Sequence, residues 1–248
     1  MARAITKLKV CSVVCNLHGY RESTGNELRV TGARAVFLWA AMQDADLVVF
    51  PAGYLHARDM KARSVQSAAA PVLRLARESE LAVVVGVDAC EPDFRVIDPT
   101  WVEKGDVPQW LAAWSPASKA ALHWRQRSTT SGDAPCVPDK TSEEVRLLVV
   151  GRSLVGVLAC GEGFNPKLRE KLRAANPALA VMPAHIASGI RHWQALKWLA
   201  RNGVPALRAV HANEAENVLW SGKAKHGAIA TERITIDDLA LEASLFAA

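Results

Sequence analysis

Ser153-Leu154-Val155-Gly156-Val157-Leu158-Ala159-Cys160-Gly161-Glu162-Gly163-Phe164-Asn165-Pro166 is the stretch from which the chain is best read. An apolar run suited to a buried strand delivers a cysteine, then a carboxylate between two glycines, then an Asn-Pro pair suited to start a helix. α/β proteins place their chemistry at the carboxyl ends of strands, where a side chain is held by the sheet yet opens onto a crevice. Asn165 fits the cap and Pro166 the first helical position. The positive end of a helix over 166–175 then faces the thiol and favours thiolate. Cys160 is therefore the candidate nucleophile, weighed against the ordinary alternative of a small core residue.

Working outward, residues 145–150 and 153–159 are two adjacent strands meeting at Gly151-Arg152, a tight hairpin signal. Upstream, an apolar run over 8–15 suits a central strand, and polar, glycine-containing 16–25 a loop. Leu28, Ala35, Leu38 and Met42 fall at helical spacing within 26–45, and Val65, Ala69, Val72 and Ala76 within 61–79. Strands over 47–50 and 81–87 follow them, so strand and helix alternate as in an α/β sheet with helical layers. Residues 90–106 read as a long excursion and 109–114 as a strand. Residues 128–142, with Gly132, Pro135 and Pro138, read as a mobile loop.

A chain of 248 residues, half of them apolar, can bury one substantial core, so we expect a single domain over 1–248. No stretch reaches the roughly 20 apolar residues of a membrane span, and the amino terminus lacks the apolar core of a secretory signal. Five cysteines, an odd number, point to free thiols in a reducing compartment and to a cytoplasmic protein. The net charge of +5 raises the question of nucleic acid, but Lys167, Arg169, Lys171 and Arg173 interleave with Glu170 as a solvated helix face does. No recognition motif accompanies them, which points away from nucleic acid. Cys11 and Cys15 share a strand face without a second ligand pair, so they read as core and no metal is expected. Gly161-Glu162-Gly163 lacks the third glycine of a dinucleotide fingerprint, and no cofactor is expected either.

The cysteine stretch resembles the nucleophile segment of the nitrilase superfamily of carbon-nitrogen hydrolases. Asp46-Leu47-Val48-Val49-Phe50-Pro51 resembles that family's first signature, 81–88 its third strand and 178–183 the strand after the cysteine. His192-Trp193-Gln194-Ala195-Leu196 with the following Leu199-Ala200-Arg201-Asn202-Gly203 is similar to its next helix, and Val210-His211-Ala212-Asn213 to its strand ending in Asn. The resemblance runs in the family's order from about residue 7 to 227. It implies a four-layer α-β-β-α sandwich, a small-molecule amide or nitrile as substrate, and a homodimer or higher homo-oligomer paired through the helices around the cysteine. Two family positions are altered. The general-base glutamate after Phe-Pro is Ala52 here, and the lysine of a Tyr-Arg-Lys-like segment is matched by Gln126 in Trp124-Arg125-Gln126-Arg127-Ser128. A methyl group takes no proton, and an amide donates a hydrogen bond without bringing charge.

His185, just past the strand that should lie beside the cysteine strand, is the candidate replacement base, with a role in bonding loop backbone as the alternative. Glu162 could orient an imidazole or accept a proton, though the resemblance implies a structural carboxylate bonding backbone near the nucleophile. Arg125 and Arg127 are candidates for steadying an oxyanion or binding a substrate carboxylate, with surface positions as the alternative. His123 reads as exposed, His211 as buried and satisfied or functional, and Asn213 as a tie between loops. Trp101, Trp110, Trp114 and Trp124 could line a pocket or simply pack sheet against helix. Two functional readings follow. One is a divergent cysteine hydrolase acting on an amide or nitrile, with its base drawn from His185 or Glu162. The other is a catalytically degenerate protein that keeps the fold as a binding or assembly subunit.

Overall fold

The first strand, β1 (Lys9–Cys15), is rich in valine and cysteine and buried along almost its whole length, as a strand covered on both faces must be. The computed structural model describes residues 7–17, 24–89, 109–118, 120–127, 129–131, 134–136, 144–186, 189–212 and 217–248. After β1 come α1 (Asn26–Met42), β2 (Leu47–Val49), β3 (Leu55–His56), α2 (Ala62–Glu78), β4 (Ala82–Asp88), β5 (Gln109–Trp114) and β6 (Leu122–Arg125). A small hairpin, β7 (Thr129–Ser131) with β8 (Ala134–Cys136), precedes β9 (Leu147–Val150) and β10 (Ser153–Val157). A single 3-10 turn, Cys160–Phe164, leads into α3 (Pro166–Ala174), β11 (Leu179–Ile186), α4 (Gly189–Arg201) and β12 (Ala206–His211). The chain closes with β13 (Leu219–Ser221), β14 (Ala224–His226), β15 (Ala230–Ile236) and β16 (Leu239–Ala247).

β1 is where the ladder turns a corner. It pairs in parallel with β2 from Val10↔Leu47 to Ser12↔Val49 and antiparallel with β16 from Lys9 to Cys15. Its pairing with β12 involves only Val14↔Val210 and Cys15↔His211, at the carboxyl ends. On one side the order is β6-β5-β4-β2-β1-β16-β15, with β3 on β4; on the other it is β9-β10-β11-β12-β13-β14. The hydrogen-bonded ladder is continuous, but it curls into two facing layers.

Side-chain alternation assigns each face its partner. Val10, Leu47, Val49, Val84 and Leu111 share one apolar core with Val155, Val157, Leu179, Val181 and Leu207 of the opposite layer. Cys11, Val13, Val48 and Val83 turn outward onto Val36 and Phe37 of α1 and Val65, Ala69 and Val72 of α2. On the far side Leu158, Ala180, Met182 and Ala206 meet Leu168 and Leu172 of α3 and Leu196 and Leu199 of α4. The result is the expected four-layer α-β-β-α sandwich. Each fully buried Val, Leu or Phe contributes about 1.5–3 kcal/mol, so the helices owe their stability mainly to this packing.

Local chemistry sets the ends of the elements. Asn165 caps α3, its Oδ1 accepting from the N–H groups of Lys167 at 3.0 Å and Leu168 at 3.4 Å, with Pro166 following. α3 lies close on β10 because Gly156 has no side chain: a Cβ there would sit 2.3 Å from Leu172 Cδ1. Several boundaries differ from the sequence reading. α1 stops at Met42, because Asp44 takes a positive φ of 52° and turns the chain into β2. β10 stops at Val157, because Cys160, with φ 32°, already begins the turn. The segment read as a mobile loop contains the β7–β8 hairpin. The terminal hairpin of β15 and β16, with β16 along β1, went unread in the sequence.

Candidate active site

The carboxyl ends of the parallel strands β4, β11 and β12 bring Asp88, His185 and His211 to one end of the sandwich. Cys160, three residues past β10, joins them. The Pro51–Gly53 loop after β2 closes in from the other layer: the Ala52 N–H donates to Ala184 O at 3.2 Å and the Gly86 N–H to Pro51 O at 3.1 Å. Gly86 is required here, since a Cβ on it would lie 2.2 Å from Ala52 Cα and 2.5 Å from Pro51 O.

His185 Nε2 lies 3.0 Å from Asp88 Oδ1, and the same imidazole hydrogen-bonds the Cys160 side chain. Burial works against the charged form of His185, but Asp88, and after it Cys160, carry its pKa well above the ordinary histidine value. Burial alone would push the Asp88 carboxyl up. His185, helped by His56 and His211, holds it below the usual carboxylate range. A carboxylate only accepts, so Nε2 carries the proton that faces Asp88. Cys160, His185 and Asp88 thus form a thiol–imidazole–carboxylate chain, the arrangement of nucleophile, base and orienting group found in unrelated hydrolases.

The other thiols near this end differ in kind. Burial raises Cys11 far above the ordinary thiol value and pushes Cys15 up to about 12, so both stay protonated and inert. Cys160 is only partly buried and its backbone is held in the left-handed region. A non-glycine residue there costs roughly 1–3 kcal/mol and persists where its surroundings over-determine it.

Glu162 does the over-determining. It is fully buried; Oε1 accepts from the Arg127 N–H at 2.7 Å and Arg127 Nε at 3.2 Å, and Oε2 from Arg146 Nη1 at 2.9 Å and the Ala159 N–H at 3.0 Å. These four bonds fill the acceptor positions of a carboxylate. Glu162 therefore has no oxygen left to receive a proton from Cys160 or to orient His185, and its candidacy as a catalytic group gives way to anchoring the nucleophile turn. Arg127 is drawn into the same cluster and also donates through Nη1 to Glu144 O. Arg125 stacks over Trp110 at 4.6 Å, and Arg146 lies over Trp124 at 5.9 Å. Arg125 and Arg127 line a recess of about 450 Å³ with His123, Glu144 and Arg146, and Cys160 is not among its walls. Arg127 is thus committed to Glu162 and Glu144 O, and Arg125 to the face of Trp110. His123, read as exposed, is half-buried, and burial lowers its pKa.

At the two altered family positions, Ala52 and Gln126 are both buried, and the Gln126 N–H donates to Gln109 O at 2.8 Å. His211 is fully buried, with Nε2 3.1 Å from Ala52 O. Its pKa is pushed down to about 3, by burial first and then by His185 and Arg29. Asn213 and Trp101 lie outside the described residues, and among the described residues no group of three or more His, Cys, Asp or Glu side chains could hold a metal ion. Asp88 is the site residue that the sequence reading missed. Its one signal was a carboxylate closing the otherwise apolar run Ala82-Val83-Val84-Val85-Gly86-Val87.

No family model matches the sequence, and no curated protein matches it. Solved structures do match, over nearly the whole chain. An amidase from Nesterenkonia sp. is similar with a TM-score of 0.66 at 12% identity, covering 98% of this chain and 91% of that one. A glutamate-to-glutamine variant of the amidase from Nesterenkonia sp. AN1, with the acetamide moiety of fluoroacetamide added covalently at the active-site cysteine, gives 0.65 at 13% identity over 98% and 91%. A cysteine-to-alanine variant of the AN1 amidase, described as from the nitrilase superfamily, gives 0.66 at 12% identity over the same shares. Likeness at such identity establishes the fold: the chain has the architecture of the nitrilase-superfamily amidases.

Proposed function

We propose that the protein is a cysteine-dependent hydrolase of carbon–nitrogen bonds in small amides or nitriles, in which Cys160, His185 and Asp88 form the catalytic chain. The observation that carries this reading is the His185 imidazole bonded at once to the Asp88 carboxylate and to the Cys160 thiol. With the Nε2 proton committed to Asp88, Nδ1 holds the basic lone pair and takes the proton from Sγ. The thiolate adds to the amide carbonyl carbon to give a tetrahedral oxyanion, for which Gln126, at the position of the family's lysine, is the candidate neutral donor. The Nδ1 proton then passes to the leaving nitrogen, the C–N bond breaks, and an acyl thioester remains on Cys160. A water molecule gives its proton to Nδ1 and attacks the thioester, releasing the carboxylic acid and restoring the thiol.

In this scheme His185 substitutes for the base absent at residue 52. Gln126 substitutes a neutral donor for a cation, so the oxyanion is held less strongly and substrates with good leaving groups turn over best. The reading extends to a homodimer paired through α3 and α4, for which sedimentation is the test. The same substitutions, Ala52 and Gln126, favour the second reading, a fold retained for binding or assembly without chemistry.

One experiment separates the two. Iodoacetamide labelling of Cys160, followed by peptide mass spectrometry across pH, is compared between the native chain and His185→Ala, alongside ammonia release from short aliphatic amides. The hydrolase reading expects fast labelling well below the ordinary thiol pKa of about 8.5, slowed at least about tenfold at neutral pH in His185→Ala. Labelling of native Cys160 that titrates near that ordinary value, with no ammonia released, leaves the scaffold reading.

A further inference from the structure

Among the groups at the strand ends, His211 is used by no step above, yet it is a histidine with no solvent exposure where an aliphatic side chain would pack more cheaply. Its backbone is in register with Cys15 on one side and Ile186, the neighbour of His185, on the other. Because a carbonyl oxygen only accepts, the 3.1 Å contact with Ala52 O makes Nε2 the protonated nitrogen. Its depressed pKa keeps the ring neutral, with that donor in place, throughout the working range. The loop it grips is itself a link. Ala52 donates to Ala184 O, the carbonyl just before His185, and Pro51 accepts from Gly86, two residues before Asp88.

We propose that His211 is a positioning residue: by holding Ala52 it fixes the Pro51–Gly53 loop against both β11 and β4, and so sets the distance between His185 and Asp88. The inference rests on the hydrolase reading above. A family position that has lost its acid thereby keeps a task through its backbone. The imidazole is 3.0 Å from Asp88, and the two residues belong to opposite layers of the sandwich. The loop after β2 is the described segment that bonds the ends of both β4 and β11. The groups that face the His211 ring electrostatically are His185, Arg29 and Asp88.

The test compares His211→Leu, which removes the donor, with His211→Gln, which keeps an N–H donor on a side chain of similar reach. Cys160 labelling by iodoacetamide is followed against pH in each, with thermal unfolding as a check on folding. The expected result is a folded Leu variant whose labelling midpoint moves up by about one pH unit, slowing labelling about tenfold at neutral pH, while the Gln variant recovers most of the native profile. Should the Leu variant fail to fold, His211→Gln and His211→Asn decide. The shorter amide cannot span to Ala52 O and should show the shift that Gln does not. Native labelling profiles in folded Leu and Asn variants overturn the proposal. If His185→Ala also leaves the profile unchanged, the hydrolase reading fails instead; if only His185→Ala shifts it, the positioning role alone is wrong.

Discussion

Replacing Asp88 by Asn keeps the shape of the side chain and removes the charge that holds His185 as a base. A 3.0 Å N···O contact puts the two charge centres about 4 Å apart, worth about 4 kcal/mol at an effective dielectric constant of about 20. Part of this is returned because a neutral pair costs less to bury, which leaves about 2–3 kcal/mol, equivalent to about 30- to 150-fold in the thiolate–imidazolium population. Asp88→Asn should therefore slow iodoacetamide labelling of Cys160 at neutral pH by that factor. The pH dependence of stability should change with it. Asp88, depressed in the fold, contributes above its unfolded value of about 3.9 and loses the contribution as pH falls through its folded value. His185, raised in the fold, contributes fully below about 6.5 and loses it as pH climbs through its elevated value. Urea midpoints of the native chain should be highest between these limits, and the Asn variant should show a flatter profile. Equal labelling rates and parallel stability profiles would refute the assignment of Asp88 as partner to His185.

Glu162→Gln should destabilise the chain by about 3–5 kcal/mol in urea unfolding at neutral pH, because it leaves Arg127 and Arg146 buried against an amide. A loss below about 1 kcal/mol would show that the cluster is solvated. Gly86→Ala should destabilise more than Gly156→Ala. The first Cβ meets the backbone of Ala52 at 2.2 Å, whereas the second meets the end of the Leu172 side chain at 2.3 Å, which can rotate away. The reverse order in thermal unfolding would mean that the Pro51–Gly53 loop is not held against β4.

How much of this could be read from the sequence depended on whether the signal was local. The path from β10 through Cys160 to α3 was legible because an apolar strand, a glycine-flanked turn and an Asn-Pro start all lie within fourteen residues. His185 was legible one step further, from the expectation that β11 lies beside β10. Asp88 was not: it lies 97 positions from His185, and a carboxylate after an apolar run is equally the mark of a strand that has reached solvent. Glu162 was half-legible, since its place in the turn was plain but Arg146, which takes Oε2, falls within the strand read over 145–150, where nothing local points its side chain to the turn. The β15–β16 hairpin escaped for a related reason. β15 is largely exposed and polar, so no apolar periodicity marks it, and β16 finds its partner in β1 more than two hundred residues away.

The narrow pairing of β1 with β12 has a mechanical consequence. The two layers are joined by backbone bonds around Val14, Cys15, Val210 and His211, and the Ala212 N–H extends the join to Cys15 O at 2.8 Å. Beyond that seam and the Ala52 N–H to Ala184 O bond, the layers meet chiefly through side chains, so they behave like the covers of a book bound along one short edge. Asp88 belongs to one cover and Cys160 and His185 to the other, and all three sit beside the binding. Breathing at the open edge leaves their spacing untouched, whereas separation at the seam parts the imidazole from its carboxylate before either layer unfolds. Slow amide exchange at Val210 and Ala212 is therefore a direct reporter of an intact site.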